Sequence, residues 1–554
     1  MSLLDWIVLS STLLFIAIYG WWHTRSQEGI KDYLLGDQSQ KWWQVGLAVM
    51  ATQASAITFI STTGQGYSDG LRFVQFYFGL PLAMIVICVV FIPTFYKLKV
   101  FTAYEYLEQR FDLKTRLFAS IIFLIQRGLA AGITLYAPSI ILSAVFGWNL
   151  QWTHVISGIV VILYTVSGGS RAVSVTQMHQ VAVIFIGMVF AFGYMIWNLP
   201  AEISLNKGLQ LAGWMNKMNA VDFSLDFKDR YNFWSGITGG FFLALAYFGT
   251  DQSQVQRYLT GKNIQQSRMG LIFNGILKIP MQVFILMCGV MLYVFLMFQN
   301  IPLSFNEKVN QAFKNSKPEL YQQFATRNDS LNAARRSLLS VQNESIKSDL
   351  IQVQNEQIKL RKKATEIVIE ANPTIEANDR DYIFLHYILN YLPKGLIGLL
   401  IAVILCAAMS SISAELNALS GVSYIDIYKR LLPGKIQGLS EVAISKGFAI
   451  FWGIVALSFA FFARLFENLI QFINIIGSLF YGSVLGIFLV AFLFKWIKSS
   501  AVFYAACVAQ ITVIGFFMYS DLGFLWYNVI SVCIVIILSF IIQFVVDNFA
   551  IKKV

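Results

Sequence analysis

Two adjacent serines, Ser410-Ser411, interrupt the apolar run GLIGLLIAVILCAAMSSISAELNALSGVSYIDIY, residues 395–428. Small residues precede them (Ala407-Ala408-Met409), and Glu415, Asn417 and Asp426 follow. Serines at this depth either bond back to their own helix inside a close-packed interface or offer oxygens to a small hard cation. A second stretch, VGLAVMATQASAITFISTTGQGYSDG (45–70), carries Thr52, Gln53, Ser55, Thr58, Ser61, Thr62 and Thr63. Such polarity suits a discontinuous helix lining a site, where unwound backbone offers carbonyls. Tight packing of small residues is the competing account. A third stretch, GITGGFFLALAYFGTDQSQVQRYLTGKN (236–263), opens on glycines and carries Tyr247, Thr250, Asp251 and Gln252. Two cations also fall within apolar runs, where charge is costly. Arg127 either pairs or snorkels structurally, or contacts a solute. Lys278, just before Pro280, either caps freed carbonyls or faces a solute path.

The elements that must position these groups are membrane helices. The 554 residues are 57% hydrophobic and 13% charged, more apolar than a soluble fold needs. About thirteen runs are long enough to span a bilayer, at 4–22, 43–64, 72–96, 117–146, 151–167, 177–198, 233–252, 268–298, 382–414, 443–463, 468–494, 500–519 and 524–547. The first lacks a basic n-region and a cleavage site and reads as a retained span. Basic residues gather in alternate loops: Arg25, Lys31 and Lys41; Lys97, Lys99, Arg110, Lys114 and Arg116; Arg171 after a Gly168-Gly169 turn; Arg257, Lys262 and Arg268; Lys429, Arg430, Lys435 and Lys446; Lys495 and Lys498; Lys552 and Lys553. The short loops on the other side hold little beyond Arg72 and Arg464. This asymmetry predicts a cell (inner) membrane protein with its N-terminus outside and its C-terminus in the cytoplasm. The net charge of +11 then belongs to cytoplasmic loops, not to nucleic-acid binding. The five cysteines lie in apolar spans and the four histidines are scattered, so neither forms a metal spacing. Residues 299–380 are polar, mixed in charge and helix-prone, and predict an extracytoplasmic helical insertion, as a hairpin.

The order of several motifs resembles the sodium/solute symporter family of sodium/glucose, proline, iodide, monocarboxylate, multivitamin and sialic-acid transporters. The motifs are Thr250-Asp251-Gln252 with Val255-Gln256-Arg257, Gly168-Gly169 followed by Thr176 and Gln180, Pro393-Lys394-Gly395-Leu396, and Met409-Ser410-Ser411 through Asn417 to Asp426-Ile427-Tyr428. The resemblance implies an all-α membrane protein with a LeuT-type five-plus-five inverted repeat. It divides the chain into 1–30 (extra helix and inner loop), 31–298 (first repeat and first helices of the second), 299–380 (insertion), 381–494 (remainder of the second repeat) and 495–554 (peripheral helices).

It also implies a co-transported sodium ion held by carbonyls of Ala51, Ala54 and Ala407 and hydroxyls of Ser410 and Ser411. Where members with a second sodium carry an acid, this chain has Gln177, so one ion per cycle is expected. The implied solute site comprises Gln53, Thr58, Phe59, Gln75, Tyr247, Phe248, Lys278, Gln471 and Asn474, with Arg127 added as a possible anion contact and Tyr247 as inner gate. Thr58, Tyr77 and Ala244 depart from the sugar carriers, while the run LYAPSIILSAVFG (135–147) is similar to the iodide, monocarboxylate and multivitamin branch. The expectation is therefore a monomeric sodium-coupled importer of a small organic, carboxylate-bearing solute, with a sugar as the alternative. A membrane sensor is disfavoured because no signalling domain follows the last helix. A channel or scaffold would not drive uphill uptake. No nucleophile–base pair, metal cluster or phosphate loop points to an enzyme.

Overall fold

The computed structural model describes residues 1–23, 38–341, 344–372, 375, 378–432, 440–461 and 469–551. Side chains at 16–17, 19–23, 167–179, 341, 344 and 549–551 are outside this description. Arg25, Lys31, Lys435, Arg464, Lys552 and Lys553 therefore lie outside the described residues, as do the side chains of Arg171, Thr176 and Gln177.

Among the described residues the regular structure is helical apart from an isolated bridge between Gln40 and Gly261. The elements in order are α1 (Leu3–His23), α2 (Trp42–Gln53), α3 (Ala56–Asp69), a 3-10 segment (Gly70–Tyr77), α4 (Leu80–Val86), a π turn (Ile87–Phe91) and α5 (Ile92–Leu98). Then come α6 (Glu105–Arg110), α7 (Leu113–Phe146), α8 (Leu150–Trp197), α9 (Leu205–Trp214), a π turn (Ser235–Gly239), α10 (Gly240–Gly249), α11 (Gln252–Tyr258) and α12 (Ile264–Met297). The insertion forms α13 (Glu307–Ser316), α14 (Pro318–Val341) and α15 (Lys347–Ala371). The rest is α16 (Arg380–Tyr391), α17 (Leu396–Val422) with a π turn (Ser423–Tyr428), α18 (Lys429–Leu431), α19 (Glu441–Ala460), α20 (Leu469–Leu493), α21 (Ser499–Tyr519) and α22 (Leu525–Ile551). Among the described residues nine helices are long and apolar enough to cross a membrane, and three shorter apolar ones accompany them.

The 43–64 span is the expected discontinuous helix, formed of two half-helices, α2 and α3, with α3 running on to Asp69. Two other expectations differ. The 382–414 span is also two helices. Pro393 disfavours a helical Leu392, which is extended (φ −74°, ψ 151°), and Gly395 takes a φ of +92° open to glycine. Asp5 of α1 accepts the Gly395 N–H at 2.6 Å, which anchors the start of α17. Finally, the backbone stays helical through Gly168-Gly169, where a turn was expected. Glycine weakens a helix by about 1 kcal/mol per residue but does not forbid it.

The core is continuous through the bundle, and α12 packs closely on α2 and α3. A Cβ at Gly289 of α12 would collide with the Thr63 carbonyl of α3. The insertion is the expected hairpin, α14 against α15, with α13 added to it. Its own apolar cluster is small, around Val309, Phe313, Ala364 and Val368. Leu339 and Leu350 join it to the core of the bundle, and polar groups dock it as well. Buried Arg335 donates to the carbonyls of Met297 (2.8 Å) and Gln299 (2.7 Å), and Asn328 donates to Ile301 O (2.8 Å).

Candidate functional site

The first helix break lies between α2 and α3. Ala54 (φ −88°, ψ 71°) and extended Ser55 (φ −80°, ψ 176°) interrupt the ladder. A helix end leaves its last carbonyls without intrahelical partners. Ala54 N–H bonds to Met50 O at 2.8 Å, and Thr58 Oγ1 donates to Gln53 O at 3.1 Å. Ala51 lies in the same last turn. The helix α17 packs against both halves and carries Ala407, Ser410 and Ser411, each at most 4% exposed. Thr52, Thr63 and Thr134 donate back to the carbonyl four residues earlier. The Ser410 and Ser411 hydroxyls do not; both are buried without a hydrogen-bond partner. Leaving such a group unsatisfied costs about 1–3 kcal/mol, a cost that a bound ion or dipole removes.

The second break falls at Thr250-Asp251, where Asp251 is extended (φ −78°, ψ 118°) and caps α11 by accepting the Ser253 N–H at 2.9 Å. Between the breaks lies a central cavity. Gln53, Thr58, Arg127, Tyr247, Phe248, Lys278 and Asn474 line it, as does Ser411.

The charges of this cavity are unequal in their pairing. The guanidinium of Arg127 (α7) donates to Asp251, to Glu415 Oε1 at 3.0 Å and to the Tyr481 hydroxyl at 2.7 Å. Tyr481 in turn donates to Asp251 at 2.9 Å. Arg127 also lies 5.4 Å from the centre of the Tyr247 ring, and Gln254 holds the Tyr247 hydroxyl at 2.6 Å. Two carboxylates thus neutralise Arg127, which is the structural pairing rather than an open anion contact. Lys278 is different. It is 1% exposed and lines the cavity. Its ammonium lies 5.8 Å from the centre of the Tyr77 ring. No carboxylate of the described residues is within ion-pair distance of it.

Three predicted solute residues are elsewhere. Phe59 is fully buried outside the cavity lining, because successive residues of a helix point about 100° apart and Thr58 is the one that faces the cavity. Gln75 is spent on structure: it donates to Tyr231 O and accepts the Asp222 N–H, both at 2.8 Å. Gln471 accepts from Arg230 at 3.1 Å in a separate cavity nearer the insertion. Sequence reasoning left out Gln126, Thr134, Glu415 and Tyr481 from the lining. Glu415 had a signal, since it follows Ser411 by four residues and so shares its helix face. Tyr481 had none, because only the fold brings α20 against α7.

The sodium:solute symporter family profile matches residues 33–326 and 364–509. The unmatched stretch between them falls in the hairpin. The chain is similar to the sodium-coupled monocarboxylate transporter 1 of Xenopus laevis, 27% identical over 501 residues, covering 89% of this chain and 68% of that protein. It is also similar to the sodium/iodide cotransporter of Homo sapiens, 31% identical over 271 residues, covering 49% of this chain and 41% of that one. Its fold is that of a solved sodium-coupled sialic acid symporter in a substrate-bound, outward-open state. The TM-score is 0.76 at 23% identity, with 98% of each chain covered.

Proposed function

The chain belongs to the sodium:solute symporter family, and we propose that the solute it couples to sodium is a small carboxylate. It is an integral membrane transporter with a LeuT-type fold. One observation carries the solute class. Arg127 is matched by Asp251 and Glu415, while Lys278 in the same cavity has no carboxylate partner among the described residues. A buried cation without a counter-charge favours an anionic ligand. Asn474, whose Nδ2 lacks a partner, adds a second donor. A sugar is the second reading, favoured by Gln53 Oε1, a buried acceptor without a partner that suits a hydroxyl.

The sodium ion, as cargo, is assigned to Ala51, Ala54 and Ala407 carbonyls with the Ser410 and Ser411 hydroxyls. These come from α2 and α17, which we place in opposite repeats (43–198 and 233–494). Ion binding then biases their relative position, and Tyr247 gates the inner path. The basic ends of the helices face the cytoplasm and the insertion faces outside. The monomer holds the complete site.

One sodium carried with one monoanion is electroneutral, so the membrane potential adds nothing and a tenfold sodium gradient supports about tenfold accumulation. In proteoliposomes, an inward sodium gradient should drive uptake of labelled short-chain carboxylates but not of hexoses, and a potassium–valinomycin potential should leave it unchanged. Hexose uptake without carboxylate uptake overturns the solute reading. Ser411→Ala should weaken sodium dependence at least tenfold; an unchanged sodium dependence removes the ion assignment.

A further inference from the structure

Above the central cavity, toward the insertion, lie two further cavities that share Ser68, Asp69, Lys217 and Arg380. One is walled by Arg72, Asp229, Arg230 and Gln471, the other by Arg361, Lys362, Glu366 and Asp379. Cationic side chains outnumber carboxylates around them, seven to four. Several of the cations are already paired. Arg72 holds Asp222 and Asp229, Arg361 holds Asp379, and Arg380 reaches Asp69 at 3.4 Å. Lys217 has no such pair among the described residues.

Lys217 is nonetheless held firmly. Its N–H bonds to Ala212 O (2.9 Å) at the end of α9, and its carbonyl accepts the Leu71 N–H at 2.9 Å. Its ammonium donates to Ser68 O and lies 4.8 Å from the centre of the Tyr293 ring. Burial pushes its pKa down to about 8, Arg380 pushes the same way, and Asp69 opposes both. The group is fixed, cationic at neutral pH and without a carboxylate in ion-pair contact among the described residues. The position is also apt. Gln471 lines the outer cavity and Asn474 the central one. These residues are three apart on α20, about 4.5 Å along the helix axis.

We propose that Lys217 and Arg380 form an outer waiting site for the carboxylate group of the solute, walled by α15 of the insertion and feeding Lys278 below. The proposal rests on the carboxylate reading of the central cavity. It gives the polar insertion a role, since α15 supplies Arg361 and Lys362 to the vestibule. Converging positive charge in a low-dielectric cleft concentrates anions there.

The test places a reporter thiol at the wall as Met215→Cys, in a full chain whose exposed Cys533 is replaced by alanine. The reporter is modified with a sulfonate-bearing and a trimethylammonium-bearing methanethiosulfonate, each rate normalised to that with free cysteine. The anionic reagent should be favoured by about tenfold, as one or two unit charges within a Debye length produce. Lys217→Gln with Arg380→Gln should bring the ratio to about one, while Lys217→Arg keeps it. Propionate without sodium should slow the anionic reagent, also in Lys278→Met, and propionamide should not. A ratio near one in the parent, a ratio indifferent to the two charges, or no protection by propionate overturns the outer site. Protection without sodium-driven uptake of any carboxylate leaves the outer site standing and removes the reading of the central cavity.

Discussion

Lys278→Met isolates the charge on which the solute reading turns. Methionine keeps an unbranched apolar stem and removes the ammonium. Lys278 forms no ion pair in the described structure, so the substitution leaves no buried carboxylate orphaned and should not impair folding. A carboxylate about 4 Å from the ammonium gains roughly 4 kcal/mol of gross Coulomb energy at an effective dielectric of about 20. Desolvation of both ions reduces this to the roughly 1.5–3 kcal/mol typical of a hydrogen bond to a charged group. The apparent KM for a carboxylate should therefore rise about 10- to 150-fold. The sodium dependence, whose proposed site lies on α2 and α17, should change little. Initial rates of sodium-driven uptake in proteoliposomes measure both. An unchanged carboxylate KM in a folded Lys278→Met variant refutes the reasoning, because a charge in contact with the solute cannot be removed silently.

Arg127→Gln should be far more disruptive than Lys278→Met, because it strands Asp251 and Glu415 in the buried centre. The loss should be about 3–5 kcal/mol, read as a lower thermal midpoint in detergent, and Glu415→Gln in the same chain should recover part of it. Arg335→Met should release the hairpin by removing its bonds to Met297 O and Gln299 O, making α14 and α15 susceptible to limited proteolysis while the bundle stays intact. Gly289→Ala should destabilise the α3–α12 crossing, since its Cβ meets a carbonyl rather than a flexible side chain. A folded variant with wild-type melting would contradict that packing.

Much of the membrane architecture was legible because hydropathy and the positions of charge follow directly from the solvent. A bilayer-length apolar run has few alternatives to a spanning helix. The first interrupted helix was legible for a related reason: Thr52-Gln53-Ala54-Ser55 place polar, helix-ending residues where a lipid-facing helix would have none. The second stretch was read as irregular at its glycine start, whereas its break falls at Thr250-Asp251. The extent of each half-helix was not legible, and neither was the division at Leu392–Gly395, because a local break competes with packing from distant helices. Gln75 and Gln471 show the same limit in the site. Their residue type suited a solute contact, but Tyr231, Asp222 and Arg230, distant in sequence, claimed their hydrogen-bonding capacity.

The sequence by itself determined an all-helical membrane transporter, with a paired-serine helix and an interrupted partner helix. Residue chemistry and the cost of polarity in lipid suffice for the membrane helices, and the resemblance of the motifs supplies the transporter. Only the tertiary structure decided which of two buried cations is available. Arg127 and Lys278 look alike in sequence, each a charge inside an apolar run. Their difference comes from Asp251, Glu415 and Tyr481, brought from three other helices to surround one and not the other. Charge compensation depends on distance in space, so only the folded chain could settle it.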